Sequence, residues 1–360
     1  MLAGSIFTGG ITMQALTWQG PEDIRFTRVE DPVIREPGDV LVKVEVAGIC
    51  GSDLHVYHGR EAGLDAGTVM GHEFVGQIIE TGSQVRSLRT GDRVIAPFTT
   101  SCGACWYCRR GLTCRCLHGQ LFGWVAGGEG LQGVQAGLVR VPMADATLMP
   151  LPEEIHPEEG LLLGDVLSTG VYCADRAEVD GEGVYVVLGC GPVGLMAIVG
   201  ALERGARHLL AVDRVGERLA LAQRFGARPV HLDENDPRTV VDELTDGRGA
   251  DGVLEAVGSP GAGRLALELI RPGGILSTAG VHTAPAMPFS PSEAYDRNLT
   301  YRVGRCPARH YMERLVPLVL SRRYPLRDVI SHRLPLAQGV EGYEMFAARR
   351  QGCTKVVLNP

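Results

Sequence analysis

Apolar and polar residues alternate along VLVKVEVAG (40–48), the pattern of a strand with one face buried. HEFVGQIIETG, DRVIAPF and GLVRVPMA are further short β-rich runs, separated by Gly, Asp and Ser turn signals. The texture changes after Pro150. From Gly183 to about Gly280, apolar strands such as VYVVLG and HLLAVD alternate with helical patterns such as PVGLMAIVGALERG and ERLALAQRFG. DGVLEAVG, GRLALELIRPG and GILSTAG continue that rhythm. Strand–helix alternation of this kind predicts a parallel sheet with helices on both faces. Residues 301–360 return to mixed character, with a helix expected near 308–321 and a closing strand near 355–358. The expected fold class is α/β: a β-rich domain interrupted by a doubly wound parallel-sheet domain.

The length of 360 residues exceeds what one core usually holds, which agrees with two domains. A net charge of −7 argues against nucleic-acid binding, because a phosphate backbone is gripped by excess Lys and Arg. No apolar run reaches the length that spans a bilayer, so no membrane partner is expected. MLAGSIFTGGIT (1–12) lacks the basic start and long apolar run of a signal peptide and reads as a loose tail. The ten cysteines are then expected to be reduced in a cytoplasm, where clusters serve metals more often than disulfides.

GCGPVG (189–194) fits G-x-G-x-x-G, a weak pattern alone. Here it follows the buried strand VYVVL and opens a helix at Pro192, a residue suited to a first helical turn. Gly189 permits the tight turn, Gly191 lets backbone approach a pyrophosphate, and Gly194 lets helix and strand pack closely. The diphosphate would sit on free N–H groups at the helix start, beside Pro192 and Val193. Asp213 ends the next strand, nineteen residues past Gly194, where an acid hydrogen-bonds the adenine ribose. Its charge would repel a 2′-phosphate and favour NAD over NADP; Arg214 and Arg218 pull the other way.

SCGACWYCRRGLTCRC (101–116) packs five cysteines into one loop. Cys102, Cys105 and Cys108 with either Cys114 or Cys116 could close a thiolate tetrahedron around a structural zinc. Spacing alone leaves the fourth ligand open. A second constellation is scattered: Cys50, Ser52, Asp53 and His55 in one segment, His72 and Glu73 in another, Asp165 in a third. Each has a bland reading when taken singly. Together, a thiolate, an imidazole and a carboxylate offer three protein ligands and leave a fourth zinc position for substrate.

These pieces resemble the medium-chain, zinc-dependent alcohol dehydrogenase family over essentially the whole chain after Met13. The matching motifs are C-G-S-D-x-H, G-H-E-x-x-G, the cysteine lobe, G-D-x-x-x-T-G, the glycine turn and the terminal C-T-K-V-V-L. The Asp165 region and NLTYRVGRCPARHYMERL are most similar to formaldehyde dehydrogenase-like and short secondary-alcohol branches. The resemblance implies a GroES-like catalytic domain over 13–167, a Rossmann domain over 168–300 and a return to the catalytic domain over 301–360, after a tail at 1–12.

The resemblance also assigns roles. Cys116 becomes the fourth structural ligand and Cys114 is spare. Cys50, His72 and Asp165 would hold a catalytic zinc, with Glu73 a partner that tunes the metal or an occasional ligand. Ser52 and His55 would form a proton relay, and Thr169 would lie near the nicotinamide. Lys355 matches a position that reaches the cofactor phosphates. Many relatives carry Cys or Glu where this chain has Asp165, and Gly51 replaces a basic residue that some relatives set against the pyrophosphate. The implied activity is hydride transfer between a small alcohol and NAD, with two zinc ions per chain, in a homodimer or homotetramer. Pocket walls are expected near Tyr57, Trp124 and residues 282–310. The rivals are a non-catalytic zinc- and nucleotide-binding protein, a zinc-independent reductase on the same fold, and a polyol- or threonine-type dehydrogenase of the same family.

Overall fold

The computed structural model describes residues 12–350 and 352–360. All but the last residue of the expected tail therefore lies outside the described residues; Thr12 opens a strand, Thr12–Gly20, that pairs antiparallel with Asp23–Glu30.

The strand Val40–Ile49 organises the catalytic end of the molecule. It runs through a seven-stranded sheet, with Lys43 its one exposed residue. The predicted alternation is thus buried on nearly both faces, since neighbouring layers cover each side. Phe74–Thr81 pairs with it antiparallel, Phe74 opposite Ala47. Val356–Asn359 pairs on its other side, Val356 opposite Ile49. These two registers bring Cys50, the His72–Glu73 pair and Lys355 to one end of a single strand. An extended chain could hold Cys50 and Lys355 about 1000 Å apart; sheet register alone collapses the separation.

A helix, Pro157–Gly164, lies against the same sheet. A Cβ on Gly164 would meet the Ala96 carbonyl oxygen at 2.4 Å, so only glycine admits this close an approach. Asp165 follows immediately, between that helix and Val166–Arg176.

Six parallel strands form the second domain, in the spatial order Arg228–His231, His208–Asp213, Val184–Leu188, Ala250–Glu255, Ile270–Thr278 and Thr300–Val303. Every pairing is parallel. The chain reverses its direction of travel across the sheet between Val184–Leu188 and Ala250–Glu255, the place where such sheets open a crevice. Adjacent residues serve opposite layers: Val187 packs with Leu195 and Ile198 on one face, Val186 with Leu210 and Ala266 on the other. The sixth strand carries the parallel layer past residue 300. The helix expected near 308–321 is Ala308–Leu320.

Candidate functional site

Ligand atoms of Cys50, His72, Glu73 and Asp165 lie within 4.8 Å of one another. All four residues are nearly inaccessible. Cys50 Sγ and His72 Nε2 each stand 3.5 Å from Asp165 Oδ2. The His72 ring is aimed from behind, its Nδ1 3.1 Å from Asp53 Oδ1. With Nδ1–H donating there, Nε2 turns its lone pair towards the cluster, the usual way a carboxylate orients a metal-binding imidazole. Asp53 is itself fixed, its Oδ2 accepting from the Cys50 N–H at 2.9 Å and from Gln135 Nε2 at 3.4 Å. Thr169 Oγ1 donates to Asp165 Oδ1 at 3.3 Å.

Burial and mutual proximity shift every group of the cluster. Burial raises the Cys50 thiol, and Glu73 and Asp165 raise it further. Burial also raises Glu73, to about 7, although Lys355 pulls it down. Burial alone would lower Lys355, but Glu73, Cys50 and Asp165 hold it up at about 12, so it stays an ammonium. His72 is driven well up: burial works to lower it, and Asp53, Asp165 and Cys50 outweigh that. A thiol, an imidazole and two carboxyl groups converge on one point, and a divalent ion placed there would favour the thiolate, the carboxylates and the neutral imidazole together. Glu73 Oε2 bonds Lys355 Nζ, while its Oε1 is buried with no partner. The donor set fits zinc.

The second cluster is Cys102, Cys105, Cys108 and Cys116. Backbone N–H groups of Cys102 and His118 point at Cys116 Sγ (3.2 and 3.4 Å), and that of Cys105 at Cys102 Sγ (3.3 Å). Such donors favour thiolates. Cys105 is lowered to about 6, chiefly by the Cys108 backbone N–H. Cys114 stands apart, buried, its Sγ donating to the Arg305 carbonyl at 3.3 Å. The four thiols close on one another and offer no face to the cleft; they too fit zinc.

A cleft of about 1060 Å³ joins the first cluster to the glycine turn. Gly189 has φ +86°, and a Cβ on Gly194 would meet the Gly189 carbonyl oxygen at 1.7 Å, so both positions exclude side chains. Gly191 precedes the helix Pro192–Glu203, whose free N–H groups face the cleft beside Val193. Asp213 Oδ2 accepts from the Cys190 N–H at 2.7 Å, and Oδ1 from those of Arg214 and Val215 at 2.7 and 3.0 Å. Arg214 is paired with Asp233 at 2.5 Å. Arg218 reaches the Cys353 carbonyl at 3.4 Å and keeps its Nε without a partner. Ser52 Oγ lies 3.3 Å from His72 Nε2. His55, half-buried on the helix Asp53–Tyr57, lines the same cleft with Nδ1 unpartnered; burial lowers its pKa, as do Arg60 and His58.

One expectation needs correction. Lys355, expected at the cofactor phosphates, is fully buried and its ammonium is held by Glu73, because strand register puts it beside Cys50. The segment near Tyr57 lines the cleft through Leu54, His55, Val56 and His58, while Tyr57 itself packs on Tyr343, ring centroids 5.8 Å apart. Trp124 does line the cleft, as do His282 and residues 303–306 from the expected segment. Asp53, named with the scattered constellation but given no role, supports the cluster by orienting His72. Gln135, far from every motif, was missed. Gly48 was missed as well: a Cβ there would meet Glu73 Oε2 at 1.9 Å.

Family models describe residues 36–153 as an alcohol dehydrogenase GroES-like domain and residues 192–321 as a zinc-binding dehydrogenase domain. The chain is 40% identical over 348 residues to zinc-type alcohol dehydrogenase B of Aspergillus flavus, covering 94% of this chain and 79% of that protein. It is 35% identical over 379 residues to the uncharacterized zinc-type alcohol dehydrogenase-like protein AdhB of Bacillus subtilis, covering 97% and 100%. The solved alcohol dehydrogenase TADH of Thermus sp. ATN1 superposes with a TM-score of 0.89 at 40% identity, covering 96% of this chain and 99% of that one.

Proposed function

The chain belongs to the medium-chain zinc-dependent alcohol dehydrogenase family and is an oxidoreductase that interconverts alcohols and carbonyl compounds; from that premise we propose how its own residues divide the work. Cys50, His72 and Asp165 hold the catalytic zinc, with Glu73 kept in reserve by Lys355, and Cys102, Cys105, Cys108 and Cys116 hold the structural zinc. When bound, the catalytic ion supplies a Lewis acid that lowers the pKa of the substrate hydroxyl. Ser52 Oγ takes the hydroxyl proton, and His55, at the half-buried side of the cleft, passes it towards solvent. The helix start at Gly191, Pro192 and Val193 would hold the diphosphate of a nicotinamide cofactor, which would supply the hydride acceptor for the carbinol carbon. Phe98, Leu121 and Trp124 keep water from the reacting carbon.

NAD is the preferred cofactor. Asp213 is anchored by three N–H donors at the strand end, where its charge rejects a 2′-phosphate, and Arg214 is diverted to Asp233. Assembly as a homodimer or homotetramer is supported by the edge strand Thr300–Val303, which ends in the exposed Val303. The ten free cysteines support a reducing, cytoplasmic setting. No described helix is long and apolar enough to cross a membrane.

One observation carries this reading: the ligand cluster and the glycine turn line a single cleft. The test is nicotinamide reduction, followed by absorbance, across primary alcohols, secondary alcohols and polyols. Turnover with a higher kcat/KM for NAD than for NADP is expected. A preference for NADP would refute the role given to Asp213, and no turnover with any alcohol would refute the reaction.

A further inference from the structure

Arginines stand in two groups along the cleft. Arg214, Arg218 and Arg349 line it together with Asp213. A second group, Arg60, Arg115 and Arg305, lines the same cleft, which also holds Cys50 and His72. Arg305 directly precedes Cys306, a buried residue of the cleft wall. Arg115 closes the turn Thr113–Arg115 of the cysteine lobe. The two come from segments far apart in sequence, and the spare cysteine joins them: Cys114, next to Arg115, donates its thiol hydrogen to the Arg305 carbonyl at 3.3 Å. Arg60 is held nearby, its N–H on the His55 carbonyl at 2.8 Å.

All three arginines are exposed. Among the described residues, none of their guanidinium groups has a hydrogen-bond or ion-pair partner. Glu61, next to Arg60, also lines the cleft; burial raises its pKa, while Arg305 and His72 act to lower it. One acid against three arginines leaves this rim cationic, on a chain whose net charge is −7. Between rim and cluster the walls are apolar: Met70, Phe98, Leu121, Phe122 and Trp124. A molecule matching this gradient has its hydroxyl at the bottom, a short apolar stem, and a negative charge at the mouth.

We propose that the alcohols this chain prefers carry a carboxylate or phosphate at the far end of a short stem, and that Arg115 and Arg305 receive it. The proposal rests on the alcohol-oxidoreductase reading. The anionic group takes no part in the chemistry: the carbinol carbon gives its hydride to the nicotinamide, the hydroxyl gives its proton to solvent, and the far end is unchanged. Arginine suits the task, because its planar fork binds carboxylate and phosphate oxygens in pairs. Steering by the exposed charges should also hasten capture at low salt.

The test uses the zinc-loaded enzyme with NAD and two matched pairs: 4-hydroxybutyrate against 1-butanol, and 3-hydroxypropyl phosphate against 1-propanol. At low ionic strength, kcat/KM should be about tenfold or more higher for the anionic member of at least one pair, as charge-assisted hydrogen bonds require. The pair that shows it tells carboxylate from phosphate. The advantage should shrink as salt is raised on the wild-type enzyme, a readout that needs no variant. In the double variant Arg115→Ala, Arg305→Ala, the ratio of anionic to neutral substrate should collapse towards one. Neutral members equal to or better than their partners would overturn the proposal while leaving the reaction standing. So would an advantage that survives both salt and the double substitution, or a variant whose loss falls on NAD affinity instead of that ratio. If no member of either pair reduces NAD but other alcohols do, the anion proposal alone fails; if no alcohol does, the reaction reading fails with it.

Discussion

Two clusters of acid side chains fit zinc in this protein, and they are built in opposite ways. The four-cysteine lobe takes its ligands from one loop, residues 102–116, closes them on each other, and steadies the sulfurs with its own backbone N–H groups. The other cluster draws Cys50, His72, Glu73 and Asp165 from separate segments, buries them, mixes three ligand chemistries, and opens on a cleft. The first needs a metal in order to hold a loop together. The second needs a whole fold in order to exist, since it depends on two strand registers and on the glycine that lets the Asp165 helix approach. A closed, local site serves folding; an open, assembled site serves chemistry.

The largest effect expected from breaking this contrast is on turnover. Cys50→Ser or His72→Ala should cut kcat/KM by about a thousandfold or more, the loss of several kcal/mol of charge stabilisation, while far-UV circular dichroism stays unchanged. Comparable losses from Cys116→Ser in folded molecules would erase the distinction.

Next comes stability. Structural zinc supplies on the order of 10 kcal/mol in small zinc peptides, so Cys116→Ser should lower the Tm by roughly 10 °C or more. Cys114→Ser should leave the Tm within a few degrees, because that thiol donates one hydrogen bond, to Arg305. Reversal of these two results in a thermal melt would exchange the roles of the two cysteines.

The buried ion pair sharpens the contrast further, because the lobe has nothing like it. Lys355→Met leaves the buried Glu73 without its partner and removes the charge that holds its pKa down; the cost should be at most about 3–5 kcal/mol in denaturant unfolding, relieved in part as Glu73 takes up a proton. Adding Glu73→Gln should restore much of that; a second loss on top of the first would show that the two groups do not act as a pair.

The smallest effect is expected at His55. His55→Ala should slow turnover by about tenfold or less, and most at low pH, where solvent bases are scarce. Burial lowers the His55 pKa from 6.5, so the folded state resists protonation. The unfolded chain then binds more protons, and this group's contribution to stability is lost as pH falls through 6.5 and towards the lower folded value. A pH–rate profile identical in wild type and variant would remove His55 from the relay.

The same contrast explains what the sequence discloses. The cysteine lobe is legible from spacing, except for the choice between Cys114 and Cys116, which depends on how a seven-residue loop folds back. The parallel sheet is legible because buried strands and amphipathic helices differ in period, and the glycine turn because only glycine fits at Gly189 and Gly194. The catalytic cluster is visible only through family motifs, since nothing in the local pattern brings Asp165 to Cys50. Lys355 was misplaced for the same reason: its position depends on Val356 pairing with Ile49, a contact between the two ends of the chain. Asp53 at a helix start looks like an ordinary first-turn acid until the His72 ring is seen resting on it. The cationic rim could not be read at all, because Arg60, Arg115 and Arg305 meet only in three dimensions.

The central claim is that both clusters hold zinc and that one of them does the chemistry. Zinc counted per chain, with turnover measured on the same samples, tests it most directly. The account predicts about two ions in the wild type and about one in both His72→Ala and Cys116→Ser, with turnover lost in the first variant and retained per folded molecule in the second. A wild type holding one zinc at full activity, or His72→Ala keeping both its metal and its rate, would contradict it.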